Sequence, residues 1–393
     1  MKKIISILLI FVVFVSSPIK YNRDYCFAEQ TQVEIETELN NNIDDQIDNL
    51  DFFELDQILN ELNEENFFKG DSFSQKVKKI INGELNLETS SLLSYVLNLL
   101  LDDIIKILPY ICLIIAISVL FSMVNSTKSS SKGITDVIHF VCYGAIVVTI
   151  VALVSGSINM VTSSLKLIKR QMDAIFPILL TIMTALGGST SVGVYQPAMA
   201  MLSGTVVNLF ITILLPIFTF KLIFTIISNL TTNIKFDKFA DFFGSLFKWF
   251  LGIILTVFTT VVSVQGLMAG SIDTIGIKAT KFTIKSTVPV IGSFVSDGLS
   301  LIMASSMLIK NAVGVGGLIL LFSSIILPII NIIVFSHLLK LACAILEPIS
   351  DSRVTRFIGS VGKSIQLLIA VLVGVAFMYF IMIGLVMCST NIL

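Results

Sequence analysis

The sequence predicts an all-α, polytopic membrane protein with an acidic N-terminal extracytoplasmic region. Of its 393 residues, 55% are hydrophobic and only 13% are charged, and the mean hydropathy is +0.93, outside the usual range of soluble domains. The acidic residues are concentrated between positions 29 and 90, where sixteen Asp and Glu stand against four Lys. Several later apolar runs are long enough to cross a bilayer, so we expect about six to eight transmembrane helices.

The first 28 residues have the pattern of a signal peptide. Lys2 and Lys3 precede an apolar run from Ile4 to Val15, which is too short to span a hydrocarbon layer of about 30 Å. Cleavage after Ala28 is the preferred reading, and a retained signal anchor is the alternative. Either reading predicts that residues 29–103 lie outside the cytoplasm.

The acidic region, residues 29–103, carries a helical period. Ile43, Ile47, Leu50, Ile58 and Leu62 recur about every three to four residues, as in amphipathic helices. Its apolar surface is small and its charge is of one sign, so two readings remain open. The region is either a helical head that becomes ordered against a partner or a solvated spacer.

The first clear span is predicted at about residues 104–124 and is followed by a basic loop to residue 136. The loop carries Lys128 and Lys132, which the positive-inside rule places in the cytoplasm. The next span is expected at residues 137 to about 160. A closing span is expected at about residues 365–387, within the C-terminal segment 361–393.

Between the first and closing spans the chain is similar to itself after a shift of 112 residues. The shift brings residues 204–217 onto 316–329 with seven identities in fourteen. We therefore predict an internal duplication, with one membrane repeat at 137–248 and a second at 249–360. The shift also aligns prolines and glycines that are expected to act as hinges or packing positions: Pro177 with Pro289, Pro216 with Pro328, and Gly204 with Gly316.

The topology of the two repeats is left open by two weaker hydrophobic segments, residues 174–188 and 287–309. If both cross the membrane, each repeat has three spans and the repeats are inverted. If both are re-entrant, each repeat has two spans and the repeats are parallel. The flanking basic residues do not distinguish these arrangements.

Polar residues within the apolar segments are the candidate functional positions, because burying a charge in lipid costs about 2.5 to 3.5 kcal/mol on insertion scales. No spacing typical of a catalytic centre, a metal site or a cofactor site is present, so an enzyme is not expected. Gln265 interrupts one span beside Gly266, and either helix packing or a conduit explains it. The complete set of intramembrane polar candidates is Gln265, Asp297, Lys310, His337, Lys340 and Glu347.

Five segments in the second half of the chain are distinctive: VSVQG (262–266), KATKF (278–282), VPVIGSFVSDGLS (288–300), LIKNAVGVGG (308–317) and KLACAILEPISD (340–351). Through these segments the second half of the chain resembles the stage III sporulation protein AE family. The acidic head is similar to the family in character only.

The resemblance implies a subunit of the channel complex, or feeding tube, in the mother-cell membrane around the forespore. The implied partners are the other stage III sporulation A operon proteins and, directly or indirectly, stage II sporulation protein Q. Nucleic acid is not expected as a partner, because the basic residues are scattered singly between the spans. The alternative function is a self-sufficient secondary transporter or permease for a small solute, which the internal repeats favour.

Overall fold

The computed structural model describes residues 29–63, 71–84, 89–126, 132–230, 236–287, 291–350 and 352–389. The predicted signal peptide lies outside these residues. Apart from short turns and caps, the described residues are helical, and none of them forms a strand. The predicted all-α class is therefore confirmed.

Three helices form the acidic head: α1 (Glu29–Asp48), α2 (Phe53–Asn63) and α3 (Phe73–Ile81). Their apolar residues recur at helical spacing, so Ile43 and Ile47 of α1 and Ile58 of α2 are buried on one face. A capping box starts α3, in which Ser72 accepts from the Gln75 backbone N–H while the Gln75 side chain accepts from the Ser72 N–H. These local signals explain why a strongly acidic segment is helical here.

The remaining helices include three that are far longer than a bilayer is thick. They are α5, α9 and α10, with 54, 51 and 56 residues, or about 80 Å each at 1.5 Å per residue. Between α6 and α8 the helix continues through two π-helical turns, Met201–Val206 and Phe210–Leu214. The bounds are α4 (Thr89–Ser126), α5 (Lys132–Ala185), α6 (Ser189–Ala200), α7 (Val207–Leu209), α8 (Leu215–Leu230), α9 (Asp237–Thr287), α10 (Ile291–Leu346), α11 (Ser352–Ser364) and α12 (Gln366–Cys388).

Within the described residues, six helical stretches are long and apolar enough to cross a membrane, in agreement with the predicted polytopic architecture. Each contains a window whose hydropathy is typical of a transmembrane helix. The stretches are Ser94–Met123, Phe140–Ala185, Ser189–Asn229, Asp237–Gly266, Ser300–Leu346 and Ser352–Cys388.

Helix α10 lies at the centre of the molecule, in contact with α4, α5, α9, α11 and α12. In its most apolar window 67% of the residues are buried inside the protein, against 17% for the outer helix α9. Helix α5 runs antiparallel to α10, since Ser157 meets Asn331 whereas Gln171, further along α5, meets Ser324. Helix α12 is also antiparallel to α10, since Met387 packs on Gly314 and Ile383 on Gly317. Helix α4 runs parallel to α10, since hydrogen bonds join Asp103 to Asn331 and Ser122 to the carbonyl of Ile349.

Large apolar side chains remain exposed mainly on α4, on the first half of α5 and on α9. Exposing such a surface to water is energetically unfavourable, whereas contact with lipid chains is not. These side chains include Leu101, Ile105, Leu108, Leu113 and Leu120 on α4, Phe140, Val141 and Val148 on α5, and Trp249, Ile253, Val257 and Val264 on α9.

The two weak hydrophobic segments are neither separate hairpins nor separate helices. Residues 174–185 form the last three turns of α5, and residues 291–309 form the beginning of α10. Each predicted repeat consequently contains two long helical rods, which are most of α5 and the α6–α8 region in the first and most of α9 and α10 in the second. The predicted boundary at residues 248 and 249 falls inside α9, whose first residue is Asp237.

Candidate functional site

The acidic head is docked on the central helix rather than separate from it. The hydroxyl of Ser306 on α10 donates to Oε1 of Gln46 at 2.6 Å. Phe73 of α3 packs on Gly316, where a β-carbon would lie 2.9 Å from its Cζ. A larger residue would force Phe73 to move, so Gly316, predicted as a packing position, contributes to the surface on which the head packs.

An arginine on α5 also binds the docked head, through carboxylates of α2. Arg170 donates to both carboxylate oxygens of Glu61, at 2.8 and 2.9 Å. It also donates through Nε and Nη2 to one oxygen of Glu54, at 3.1 and 3.0 Å. Bidentate guanidinium contacts fix orientation as well as distance. The head therefore lies at the end of the molecule where α5 ends and α10 begins.

Ion pairs within the head shift the ionisation of its side chains. The hydrogen bond from Lys79 at 2.6 Å lowers the pKa of Asp71 below its ordinary 3.8. The hydrogen bond to Asp44 at 2.6 Å raises the pKa of Lys78 above its ordinary 10.5. Burial lowers the pKa of Lys76, whose Nζ donates to the carbonyl of Asp71. The head is thus held in one arrangement by charge as well as by apolar packing.

Buried polar side chains link α10 to the helices around it. Gln171 of α5 is fully buried and donates to the hydroxyl of Ser324 at 2.6 Å. Lys310 is also fully buried, and its Nζ donates to the carbonyl oxygen of Ser389, just beyond the end of α12. A cation at a helix C-terminus is favoured by the exposed carbonyls and the helix dipole. Lys310, predicted as an intramembrane candidate, is therefore placed as an anchor for α12.

Gln265 and Gly266 lie together where α9 passes α12. Gln265 is half-buried, and its Oε1 has no hydrogen-bond partner among the described residues. A β-carbon on Gly266 would lie 3.2 Å from Cδ2 of Leu385. The glycine thus allows close packing of these two helices. Asp297 and Pro289, the remaining candidates in this part of the chain, lie outside the residues whose side chains the structure describes.

The predicted polar stripe His337, Lys340 and Glu347 is not gathered into one site. His337 is exposed, and its Nδ1 lies at hydrogen-bonding distance, 2.7 Å, from the carbonyl of Ile333 in its own helix. Lys340 is half-buried beside Gly362 of α11. Glu347 is exposed in the turn after α10.

The other predicted hinge positions are distributed along the helices. Pro177 is exposed within α5, and Pro328 is buried within α10. Pro216 lines an outer groove of about 380 Å³ between α5 and the α7–α8 region. Gly204 lies in the first π-helical turn with open space around it. None of these positions belongs to a catalytic arrangement.

Sequence reasoning missed one buried carboxylate, Asp103, because it precedes the predicted span at residue 104. It is only 4% exposed and shares a hydrogen bond with Asn331. Its spacing was a usable signal, since Ile107, Ile111 and Ile114 follow at helical intervals and are all buried. No cluster of three or more His, Cys, Asp or Glu capable of holding a metal occurs in the described part of the chain.

These features define a class: a polytopic α-helical membrane protein whose acidic N-terminal helices are docked on a central buried helix. The sequence profile of the stage III sporulation protein AE family, spore_III_AE, matches residues 72–390. The chain therefore belongs to this family, as its resemblance predicted, and it is a sporulation protein.

A curated relative is the stage III sporulation protein AE of Bacillus subtilis strain 168. It is 25% identical over 324 residues, covering 81% of this chain and 81% of the relative. No solved structure matches the chain.

Proposed function

We propose that this protein is a non-enzymatic membrane subunit of the channel complex between mother cell and forespore, required for forespore development after engulfment. Family membership supports a role in sporulation. The observation that carries the more specific proposal is the docked head, which makes the membrane helices and the acidic helices one body. Such a body is suited to hold partners at a fixed position on the membrane surface.

The exposed face of the head supplies the surface for those partners. Asp45, Asp48 and Asp51 are exposed, while the apolar side of α1 and α2 faces the core. An acidic face of this kind favours basic partner surfaces and fast encounter. The proposed partners are other stage III sporulation A proteins and, directly or through them, stage II sporulation protein Q.

We further propose that the head lies outside the mother-cell cytoplasm, between the two membranes. The turns at the opposite end of the molecule adjoin Lys132, Lys238, Arg353 and Arg356, which the positive-inside rule favours on the cytoplasmic side. Each repeat has two long rods, an even number of crossings. The duplication therefore implies parallel rather than inverted repeats.

Genetics in the native spore former tests the functional proposal. Deleting the gene is expected to abolish heat-resistant spores after engulfment, and the full-length gene is expected to restore them. A variant with Asp45, Asp48 and Asp51 replaced by Asn loses the acidic face, while an amide oxygen at position 51 can still accept the hydrogen bond from the Phe53 N–H and the closer Lys78–Asp44 pair remains. We expect it to accumulate in the membrane yet fail to co-purify with its partners. Normal sporulation of the deletion strain would refute the proposal.

Cysteine accessibility tests the orientation separately. In a chain free of native cysteines, Ser189→Cys and Ser286→Cys are expected to react from the same side as the head with a membrane-impermeant thiol reagent. Thr232→Cys is expected to react only from the cytoplasm. Labelling of Ser189→Cys and Ser286→Cys from opposite sides would contradict parallel repeats.

A further inference from the structure

Asp103 lies in a junction of three helices that the proposed function does not use. Its carboxylate receives a hydrogen bond from the side chain of Asn331 on α10. On the other side of Asn331, its Oδ1 lies 3.5 Å from the hydroxyl of Ser157 on α5. The second carboxylate oxygen, Oδ2, is buried and has no partner among the described residues.

Asp103 faces the interior of the protein. An acidic residue that merely ends a transmembrane span would face outwards. Leu101 and Ile105 on the same turn of α4 are 57% and 68% exposed, whereas Asp103 is 4% exposed. The adjacent Asp102 is exposed. The carboxyl thus faces the helix junction while its apolar neighbours face outwards, within a stretch long and apolar enough to cross the membrane.

An ionised carboxylate in this position is poorly compensated. The amide of Asn331 satisfies one oxygen, but the other has neither a donor nor water-exposed surface. Leaving a charged acceptor unsatisfied inside a protein is among the larger single penalties in folding. The charged neighbours of the carboxylate lie on its own helix: exposed Lys106, one turn further along α4, favours the ionised form, and exposed Asp102 opposes it.

A metal cation compensates this charge less well than a proton does. Sodium and similar hard cations need several convergent oxygens, but the group nearest the carboxylate is an N–H donor. The Ser157 hydroxyl donates to the carbonyl of Leu153 in its own helix. Only one carboxylate oxygen is therefore free for a ligand, which suits a single proton.

We propose that Asp103 is a proton-binding site: at neutral pH it carries a proton, and release of that proton loosens α4 from α5 and α10. The released proton passes to water, and the ionised oxygen then requires hydration that the closed junction excludes. Because α4 directly follows the head in the chain, the junction connects protonation to the helix that joins the head to the membrane core. This assignment is independent of the proposed sporulation role.

Infrared spectroscopy of the full-length protein in lipid nanodiscs tests the protonation state directly. Labelling the aspartate carboxyl carbons with ¹³C is expected to shift a protonated-carboxyl C=O band that lies above the amide I region at neutral pH. The band is expected in the wild type and in the matched control Asp102→Asn. It is expected to be absent from Asp103→Asn.

The pH dependence of thermal unfolding is a second readout that a purely structural hydrogen bond would not change. Between the ordinary aspartate pKa of 3.8 and the higher ionisation point of the folded site, each pH unit is expected to weaken the folding equilibrium of the wild type tenfold relative to Asp103→Asn, or about 1.4 kcal/mol, because only the folded state holds the proton there. Above the ionisation point of the folded site the difference is expected to stay constant. Asp102→Asn is expected to follow the wild type. If Asp103→Asn does not fold, Asp103→Glu takes its place: the carboxyl at position 103 then carries no aspartate label, so the isotope-induced shift of the band is expected to disappear.

Three results would overturn the proposal. The first is a wild-type spectrum at neutral pH without the protonated band, which would show an ionised carboxylate. The second is identical pH dependence of unfolding in the wild type and Asp103→Asn, which would leave only a structural hydrogen bond. The third is stabilisation by sodium or potassium over choline that disappears in Asp103→Asn, which would identify a cation site instead.

Discussion

Reversing the charge of Arg170 is expected to release the head from the membrane core. The side chains of Arg170, Glu54 and Glu61 are 38%, 49% and 53% exposed, so solvent screens both ion pairs. Exposed pairs contribute up to about 1 kcal/mol each. With two pairs we expect about 1 to 2 kcal/mol in total, a change of about five- to thirtyfold in the docking equilibrium.

Disulfide cross-linking between the head and the central helix measures that equilibrium. Gln46 and Ser306 touch in the docked state, with Oε1 and Oγ separated by 2.6 Å. In a chain free of native cysteines, Gln46→Cys and Ser306→Cys are expected to cross-link rapidly under mild oxidation in membranes. Because the rate follows the docked fraction, it is measured in a denaturant concentration at which the wild-type head is mostly undocked, and there Arg170→Glu is expected to lower the initial rate by roughly the same factor as the docking equilibrium.

Two further variants separate the ion pair from a general change of charge. Lys166→Glu alters the net charge equally one turn away, and Lys166 is exposed with no ion pair among the described residues; it is expected to leave the rate unchanged. Combining Arg170→Glu with Glu54→Arg and Glu61→Arg is expected to restore much of the rate. Equal cross-linking rates for wild type and Arg170→Glu would refute the inferred role of this contact.

Three other predictions concern packing, ionisation and buried hydrogen bonds. Gly316→Leu would collide with the phenylalanine of α3, so the same cross-link should form more slowly while Gly204→Leu, in open space, leaves it unchanged. The raised pKa of Lys78 keeps its amine protonated to higher pH; its contribution to stability is present below pH 10.5 and is lost as pH rises through the higher folded value. Mass spectrometry should therefore show slower acylation of Lys78 in the wild type than in Asp44→Asn, and equal rates would contradict the ion pair. Ser324→Ala removes the hydroxyl partner of the buried Gln171 amide, which keeps the Leu320 carbonyl at 3.4 Å, and should lower stability by about 0.5 to 1.5 kcal/mol, detected as a lower thermal midpoint in nanodiscs.

Hydropathy and periodicity were sufficient to predict the helical class, the apolar spans and the amphipathic head. The predicted helices were too short, because mean hydropathy falls in the second half of α5 although the helix continues. The helical period nevertheless continues there, since Val161, Leu165, Ile168 and Met172 are all buried at intervals of three to four residues. A polar outer face reduces mean hydropathy without ending a helix, so periodicity is the better guide to such boundaries.

The docked head was beyond sequence reasoning for a different reason. Its contact with α10 joins Gln46 to Ser306 across 260 positions of the chain. No local pattern specifies such a pairing, and a single sequence offers no covariation to indicate it. Among the predicted functional residues, Lys310 is buried and contacts the end of α12. The residues of the stripe containing His337 lie apart from one another. Asp103 was passed over because hydropathy treats an acid at the edge of a span as its end.

The docking of the head on α10 also sets an order for biosynthesis. The head is made first, but its binding surface at residues 302–320 emerges only after about 260 further residues. At about 5 to 20 residues per second, this delay lasts roughly 13 to 50 seconds. During that interval Phe73 and the apolar faces of α1 and α2 have no core to cover them. Like charge opposes association, so the acidic composition of the head is expected to disfavour contacts between unfinished chains during that interval.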